Sequence, residues 1–333
     1  MSTKQAKVWI YAKEFKGDVE LSNFELKDEE IGDIKDGEFL AEALFLSVDP
    51  YVRTFQLQYP TGSVMTGRQI ARVIESRNSK FPVNSLIFGN LGWRTLTAVN
   101  PENYPKKHDL FILPDLGDLS PSISLGALGN PGNSAYYGFL DLCKPKEGEV
   151  VVVSAAAGAV GTIVGQIAKI KGCQVIGFAG SDEKCKMLEQ DFGFDKAINY
   201  KNENVEKLLK EAAPNGIDCY FDNVGGMLST IVIDQMRNFG RISICGAITG
   251  YNDQTIMVPA FKSFHRNNLR MEGFMNYRWI NEWMEEGMFQ MLKWIQEGKI
   301  KCQETVTEGF ENMPQAFIGI FSGKNFGKAI VKV

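Results

Sequence analysis

Ala156-Ala157-Gly158-Ala159-Val160-Gly161 is the stretch of this 333-residue chain best suited to meet a phosphate. It joins an apolar run, Val150-Val151-Val152-Val153, to a segment whose Val160, Ile163, Val164, Ile167 and Ala168 recur at helical spacing. Small residues between a strand and a helix let an anion approach the backbone. The helix N-terminus then offers unpaired N–H groups and the positive end of a dipole. Gly158, Ala159, Val160 and Gly161 are therefore candidate contacts to the pyrophosphate of a dinucleotide. A tight connection with no ligand has the same composition, but the strand–turn–helix–strand context favours the dinucleotide.

The end of the second strand discriminates between the two nicotinamide dinucleotides. A site for NAD places a carboxylate there, about 20 residues beyond the turn, to accept from the ribose hydroxyl. Here the position reads Phe178-Ala179-Gly180-Ser181, with Lys184 one turn later. Ser181 and Lys184 would welcome a 2′-phosphate that a carboxylate would repel. Asp182 and Glu183 argue the other way, but they open a helix, where acidic side chains serve the dipole. The reading is NADPH.

Other chemistries lack their residues. The chain has two histidines, His108 and His265, neither at a metal-ligand spacing, and its six cysteines are scattered without a C-x-x-C pair. Gly67-Arg68-Gln69 stands where a zinc-dependent relative would offer a histidine and a glutamate, and Arg68 cannot ligate zinc. No metal site is expected, and no G-x-S-x-G or P-loop lysine appears. Hydride transfer needs no metal when the acceptor is a conjugated carbonyl, because the resulting enolate needs only a hydrogen-bond donor or positive charge.

The elements that must hold these residues divide in two. Before about residue 120, short β-branched or aromatic runs (Val8 to Tyr11, Phe39 to Val48, Arg68 to Ser76, Ser85 to Phe88, Arg94 to Val99) alternate with turn residues, as in a small antiparallel barrel or sandwich. From Val150, strands alternate with helices, which implies crossovers and a doubly wound parallel sheet. Near Lys301 the alternation ends, and Thr305 to Val333 reads as short strands around a helix at Met313 to Phe321. The expected domains are 1–125, 126–300 for the nucleotide, and 301–333 returning to the first.

Composition bounds the partners. Hydrophobic residues at 44% and charged residues at 23% suit a globular protein, and a net charge of −4 gives no basic field for nucleic acid. The uncharged stretch from Val150 to Ala168 nearly spans a bilayer but breaks at Ser154-Ala155-Ala156-Ala157-Gly158 into a strand and a helix. No signal peptide is visible at the N-terminus, and scattered cysteines fit a reducing compartment. The expectation is a cytoplasmic α/β protein, monomer or homodimer, with a small-molecule substrate, no nucleic-acid partner and no membrane.

Several stretches together resemble the zinc-independent medium-chain dehydrogenases/reductases, in their prostaglandin- and alkenal-reducing branch. They are Glu42 to Tyr51, Ala155 to Gly161, Gly180 to Lys184, Asp218 to Gly226, Arg241 to Ile248, Glu308 to Pro314 and Asn325 to Lys328. The resemblance implies a GroES-like β-rich domain and a Rossmann domain with the cofactor in the cleft between them. It carries over cofactor contacts at Gly158 to Gly161, at Lys184 and Tyr200 near the 2′-phosphate, and at Asn223. Further contacts carry over at Cys245, Gly246, Ala247, Ile248, Thr249, Gly250 and Tyr251, at Phe274, Met275 and Asn276, and at Asn325. The implied activity is NADPH-driven reduction of the α,β double bond of 15-oxo-prostaglandins and other enones and enals, with 12-hydroxy dehydrogenation of leukotriene B4 as a related reaction. A quinone reductase of the same superfamily and a non-catalytic NADPH-binding regulator are the alternatives.

One position departs from the resemblance. Relatives place a tyrosine that assists the substrate carbonyl seven residues before Gly273, where this chain has Arg266. Either the stretch from Val258 to Asn268 is repacked or Arg266 takes the electrophilic role, with Tyr51 and Tyr251 as alternative donors. Arg53 reads either as a partner for Tyr51 or a substrate carboxylate, or as a structural ion pair. Asn223, at a strand end before two glycines, reads as a ligand contact or a turn former. Trp279, Trp283 and Trp294 are expected to pack a domain or subunit interface.

Overall fold

The computed structural model of the chain describes residues 4–201, 204–248 and 261–333. Internal packing separates two units. One comprises Met1–Leu125, Thr305–Asn325 and Ala329–Val333; the other comprises Gly126–Glu304 and Phe326–Lys328.

The first unit is β-rich. An antiparallel ribbon pairs β1 (Lys4–Tyr11) with β2 (Phe24–Ile31). The main sheet contains β3 (Phe39–Ser47), β4 (Gln69–Ser76), β5 (Leu86–Gly89), β6 (Leu96–Val99), β7 (Leu110–Ile112), β14 (Glu304–Glu308) and β15 (Lys328–Lys332). Its order is β14-β15-β3-β4-β5-β7, with β6 also on β3. β3 has partners on both sides, and six of its nine residues are buried with only Glu42 exposed, so the strand reads as almost wholly apolar. A ring cluster fills the core: Phe24 stacks on Trp93 at 5.7 Å, and Phe317 meets Trp93 edge-on at 5.6 Å. β2 escapes a reading by pattern because Phe24 and Ile31 alone are buried among its charged residues.

The second unit carries β8 (Val150–Val153), β9 (Gln174–Ala179), β10 (Lys196–Asn199), β11 (Ile217–Asp222), β12 (Met236–Ile244) and β13 (Arg270–Gly273). All pair in parallel, in the order β10-β9-β8-β11-β12-β13. The chain winds outward from β8 in both directions, so the order reverses between β8 and β11. Ligands of such sheets collect outside the strands' carboxyl ends at that reversal. The connections run through α3 (Gly161–Ile170), α4 (Asp182–Asp191), α5 (Val205–Ala212) and α6 (Gly226–Asp234).

Every residue of α3 from Gly161 to Ala168 is buried, so the uncharged stretch is the interior of an α/β layer. Gly165 makes this possible, since a Cβ there would overlap the Phe194 ring. Among the described residues no helix is long and apolar enough to cross a membrane. The structure adds α2 (Asn130–Cys143) and β13, which the sequence pattern does not announce. α2 opens on Asn-Pro-Gly-Asn, a turn composition, and β13 is four residues long and partly exposed. β12 begins at Met236, five residues before the expected start, across Phe239 at φ 65° and Gly240. The three tryptophans pack inside this unit: Trp279 stacks on Tyr137 at 5.8 Å, and Trp283 and Trp294 flank Tyr136.

Candidate nucleotide site and its neighbours

The turn after β8 is fixed by backbone geometry. Ala155 takes φ 46°, a left-handed conformation costly for a side-chain residue, and its carbonyl accepts from Gly158 N at 2.9 Å. Ala156 N donates to Phe178 O on β9 at 2.8 Å, so the turn is sewn to the sheet. α3 then starts at once. A Cβ on Gly161 would overlap the Ala155 carbonyl, so only glycine lets the helix begin this close to the strand. Thr162 reinforces the turn, its N and Oγ1 both donating to Gly158 O at 3.1 and 3.0 Å. The result is a helix N-terminus presented at the sheet's carboxyl edge, the arrangement that binds phosphates.

A segment from the far end of the chain closes over this turn. Gly327 N donates to Ala157 O at 2.8 Å and bridges to Gly158. Gly327 has φ 67°, and a Cβ there would overlap Gln303 O, which holds this position to glycine. Sequence reasoning missed this contact; the Gly after Asn325-Phe326 is its one local signal.

Asp222, which sequence reasoning also passed over, organises the strand ends. Its carboxylate accepts from Ser154 Oγ at 2.9 Å, from Val224 N at 2.9 Å, from Gly225 N at 3.0 Å and from Ser229 Oγ. Its carbonyl accepts from Cys245 N at 2.8 Å. Four donors to a 2% exposed carboxylate satisfy the group and tie the end of β8 to the turn after β11, while the bond from Cys245 N to the Asp222 carbonyl holds the end of β12. Asn223 joins the same network, donating from N to Ser154 Oγ and from Nδ2 to Ser154 O, both at 2.8 Å. Its amide nitrogen is thus already engaged in holding the rim.

The expected 2′-phosphate residues come together at the ends of β9 and β10. Ser181 caps α4 and accepts from Lys184 N at 3.3 Å. A Cβ on Gly180 would lie 2.9 Å from the Tyr200 hydroxyl, so that ring packs over the strand end. Burial lowers the Lys184 ammonium below the usual lysine range, and the neighbouring Lys201 charge pushes the same way. Lys201 was not singled out from the sequence. Asp182, the main argument against a phosphate, accepts from Asn199 Nδ2 at 2.9 Å.

Cys245, Gly246, Ala247 and Ile248 follow the end of β12, and Phe274, Met275 and Asn276 follow β13. Burial, with Asp222 nearby, pushes the Cys245 thiol up to about 12, so it is no nucleophile at neutral pH. The Phe274 ring turns inward against Gly138, Phe221 and Trp279, which leaves backbone groups of this segment for any ligand contact. Asn133 fixes the segment, donating from Nδ2 to Asn276 O at 3.1 Å. Thr249, Gly250 and Tyr251 lie outside the described residues. Asn325 belongs to the first unit.

In the first unit, Tyr51 opens α1 (Tyr51–Gln56). Burial pushes its phenol up to about 12; the Arg68 charge opposes the shift and Asp49 adds to it. The phenol is therefore a protonated donor at neutral pH. Arg53 is 6% exposed, donates from Nη2 to Gly17 O at 2.8 Å and lies over the Phe15 ring at 5.6 Å. It is a structural residue rather than a substrate contact.

Arg266 requires a correction. It is exposed at the end of helix Phe261–Arg266. The next residue ties that helix to the amino-terminal end of β12, with Asn267 Nδ2 donating to Met236 O at 2.9 Å and Phe239 N donating to Asn267 O at 2.8 Å. The nucleotide turn sits at the opposite, carboxyl edge of the sheet. Within this unit Arg266 is not placed for the electrophilic role expected of it. Among the described residues, no three His, Cys, Asp or Glu side chains group as a metal site requires.

Comparison with known proteins agrees with this geometry. Residues 7–106 match a family model for the N-terminal domain of oxidoreductases, and residues 159–296 match one described as zinc-binding dehydrogenase. The chain is 51% identical to prostaglandin reductase 1 of Bos taurus, over 98% of this chain and 99% of that protein. It is 39% identical to the NADP(+)-dependent 2-alkenal reductase of Nicotiana tabacum, over 97% and 94%. The crystal structure of CurA from Vibrio vulnificus in complex with NADPH superposes with a TM-score of 0.91 at 34% identity, covering 98% of this chain and 99% of that one.

Proposed function

The chain belongs to the prostaglandin-reductase branch of the medium-chain dehydrogenases/reductases, and from that premise we propose that it reduces the α,β carbon–carbon double bond of enones and enals, 15-oxo-prostaglandins among them, with NADPH. The observation that supports the cofactor preference is the pair of lysines, Lys184 and Lys201, at the strand ends, where Asp182 is engaged by Asn199 and Glu183 opens the helix. Gly161, where a Cβ would overlap the Ala155 carbonyl, lets α3 start close to β8, and the helix N-terminus so presented suits a pyrophosphate.

NADPH, when bound, supplies the hydride. The first turn of α3 and Gly158 to Gly161 hold its pyrophosphate, and Ser181, Lys184 and Tyr200 hold the 2′-phosphate. Backbone groups of Cys245 to Ile248 and of Phe274 to Asn276, with Asn223 and Asn325, complete its contacts. Tyr51 keeps its proton at neutral pH and donates to the substrate's carbonyl oxygen as negative charge gathers there. Solvent supplies the proton for the α-carbon.

The protein works as a monomer or homodimer in a reducing cytoplasm, a reading supported by six free cysteines, four of them buried. Purified protein mixed with NADPH and either 15-oxo-prostaglandin or a 2-alkenal should lose absorbance at the nicotinamide band, more slowly with NADH or a quinone. NADH oxidation at the same rate would remove the phosphate argument. Turnover confined to quinones would remove the enone.

A further inference from the structure

Arg68 stands at the start of β4, and the first unit holds it in an unusual state. Its backbone is fixed on both sides. Ser47 N donates to Arg68 O at 2.8 Å, while the Gln69 side chain donates to Gly92 O at 2.5 Å and Arg94 O at 3.2 Å. Gly67, just before it, lies so close to the fully buried Trp93 ring that a Cβ would overlap that ring. The start of β4 therefore cannot slide, and the side chain is aimed.

Its guanidinium carbon sits 5.9 Å from the centroid of the Tyr51 ring and 5.7 Å from that of Phe88. Between these rings Nη1 is shut off from solvent and has no hydrogen-bond partner. Leaving such an N–H unpaired is unfavourable, the more so on a charged group. The nearby acids are engaged elsewhere: Asp49 accepts from Ser47 Oγ, and Asp109 faces His108 at 3.7 Å. Arg68 as a whole is half-buried, so solvent screens its charge only in part, and that charge acts on the Tyr51 phenol in the direction that makes it a better donor.

We propose that Arg68 is a positioning residue of the reduction: its guanidinium, held beside the Tyr51 ring with Nη1 unpartnered, poises the Tyr51 hydroxyl to donate to the substrate's carbonyl oxygen. The inference rests on the function proposed above. A role in gripping the remote carboxylate of a long oxo-acid is disfavoured, because Arg68 lies beside the same ring that serves the carbonyl.

The test is a double-variant cycle in the full chain with NADPH and an enone. Arg68→Gln should lower kcat roughly ten- to a hundredfold, the scale of one lost interaction with a developing oxyanion. The Kd for NADPH, read by fluorescence, should stay within about twofold because the nucleotide contacts are untouched. Arg68→Lys, which keeps the charge, should recover part of the loss. In a Tyr51→Phe background, Arg68→Gln should cost less than about twofold, since a residue acting through another loses its effect with it. If Arg68→Gln does not fold, Arg68→Met fills the slot between the rings and reads the same comparison. An active wild type with an unchanged Arg68→Gln kcat, or with losses that simply multiply in the double variant, overturns the inference alone. A wild type that binds NADPH but reduces no enone overturns the proposed function, and this inference with it.

Discussion

Lys184 and Lys201 repel one another at the ends of β9 and β10, and burial adds to the cost of charging Lys184. A dianionic phosphate between them relieves both penalties. Lys184→Ala should raise the Kd for NADPH about tenfold, one lost charge-assisted contact, and leave that for NADH nearly unchanged. Fluorescence titration with both dinucleotides checks this, and equal shifts would detach Lys184 from the 2′-phosphate. The pH dependence has a definite sign. In the free protein Lys184 titrates below the ordinary lysine range, and a bound phosphate raises it again. Affinity is therefore full while the ammonium is protonated and falls as pH rises through the depressed value. The fall should begin at lower pH than for an unperturbed lysine and should flatten in Lys184→Met.

At the scale of elements, the carboxyl ends of β8, β11 and β12 meet at one residue, Asp222, whose carboxylate holds Ser154 and the turn after β11 and whose carbonyl accepts from Cys245 N. Asp222→Ala removes the acceptor that faces Ser154 Oγ, Val224 N, Gly225 N and Ser229 Oγ. The loss should be about 1–3 kcal/mol of stability, with weaker NADPH binding because the rim that carries Asn223 and Cys245 loosens. Denaturant unfolding measures the first and titration the second. The turn into α3 should be equally exacting. Gly161→Ala pushes a methyl group into the Ala155 carbonyl, a backbone atom that cannot step aside, so strand and helix must separate. We expect a folded but less stable protein with NADPH affinity lowered more than tenfold, read by the same titration. An affinity equal to wild type would mean that the turn does not meet the pyrophosphate.

Across the whole molecule, residues that form one site come from distant stretches of chain. The second unit reclaims Phe326–Lys328 from the end of the sequence, and Gly327 lies against the turn at Gly158. Ligand binding to that turn should therefore stabilise a long, non-contiguous portion of the chain. NADPH at a hundred times its Kd should add about 2.7 kcal/mol to the unfolding free energy of the second unit. Thermal melting followed by tryptophan fluorescence would report it, because Trp279, Trp283 and Trp294 all pack inside this unit. NADH at the same concentration should give a much smaller shift. Gly327→Ala should lower the melting temperature and shrink the NADPH increment together.

Local signals were enough to read most of the nucleotide half. The Val150 run, the small-residue turn, the helical spacing from Val160 and the missing acid after Ala179 are each contained within a few residues, so α/β winding and the preference for NADPH followed from the sequence. The first unit was legible as β-rich, but β2 was not, because its charged residues pair with β1 only in three dimensions. Long-range geometry decided the rest. It gave Asp222 its four donors, placed Lys201 beside Lys184 and brought Gly327 to the turn. It also carried Arg266 to the wrong end of the sheet and left Arg68 unpaired beside Tyr51. Periodicity and turn chemistry are properties of neighbours in sequence; charge pairing, orphaned donors and shared carboxylates are properties of neighbours in space.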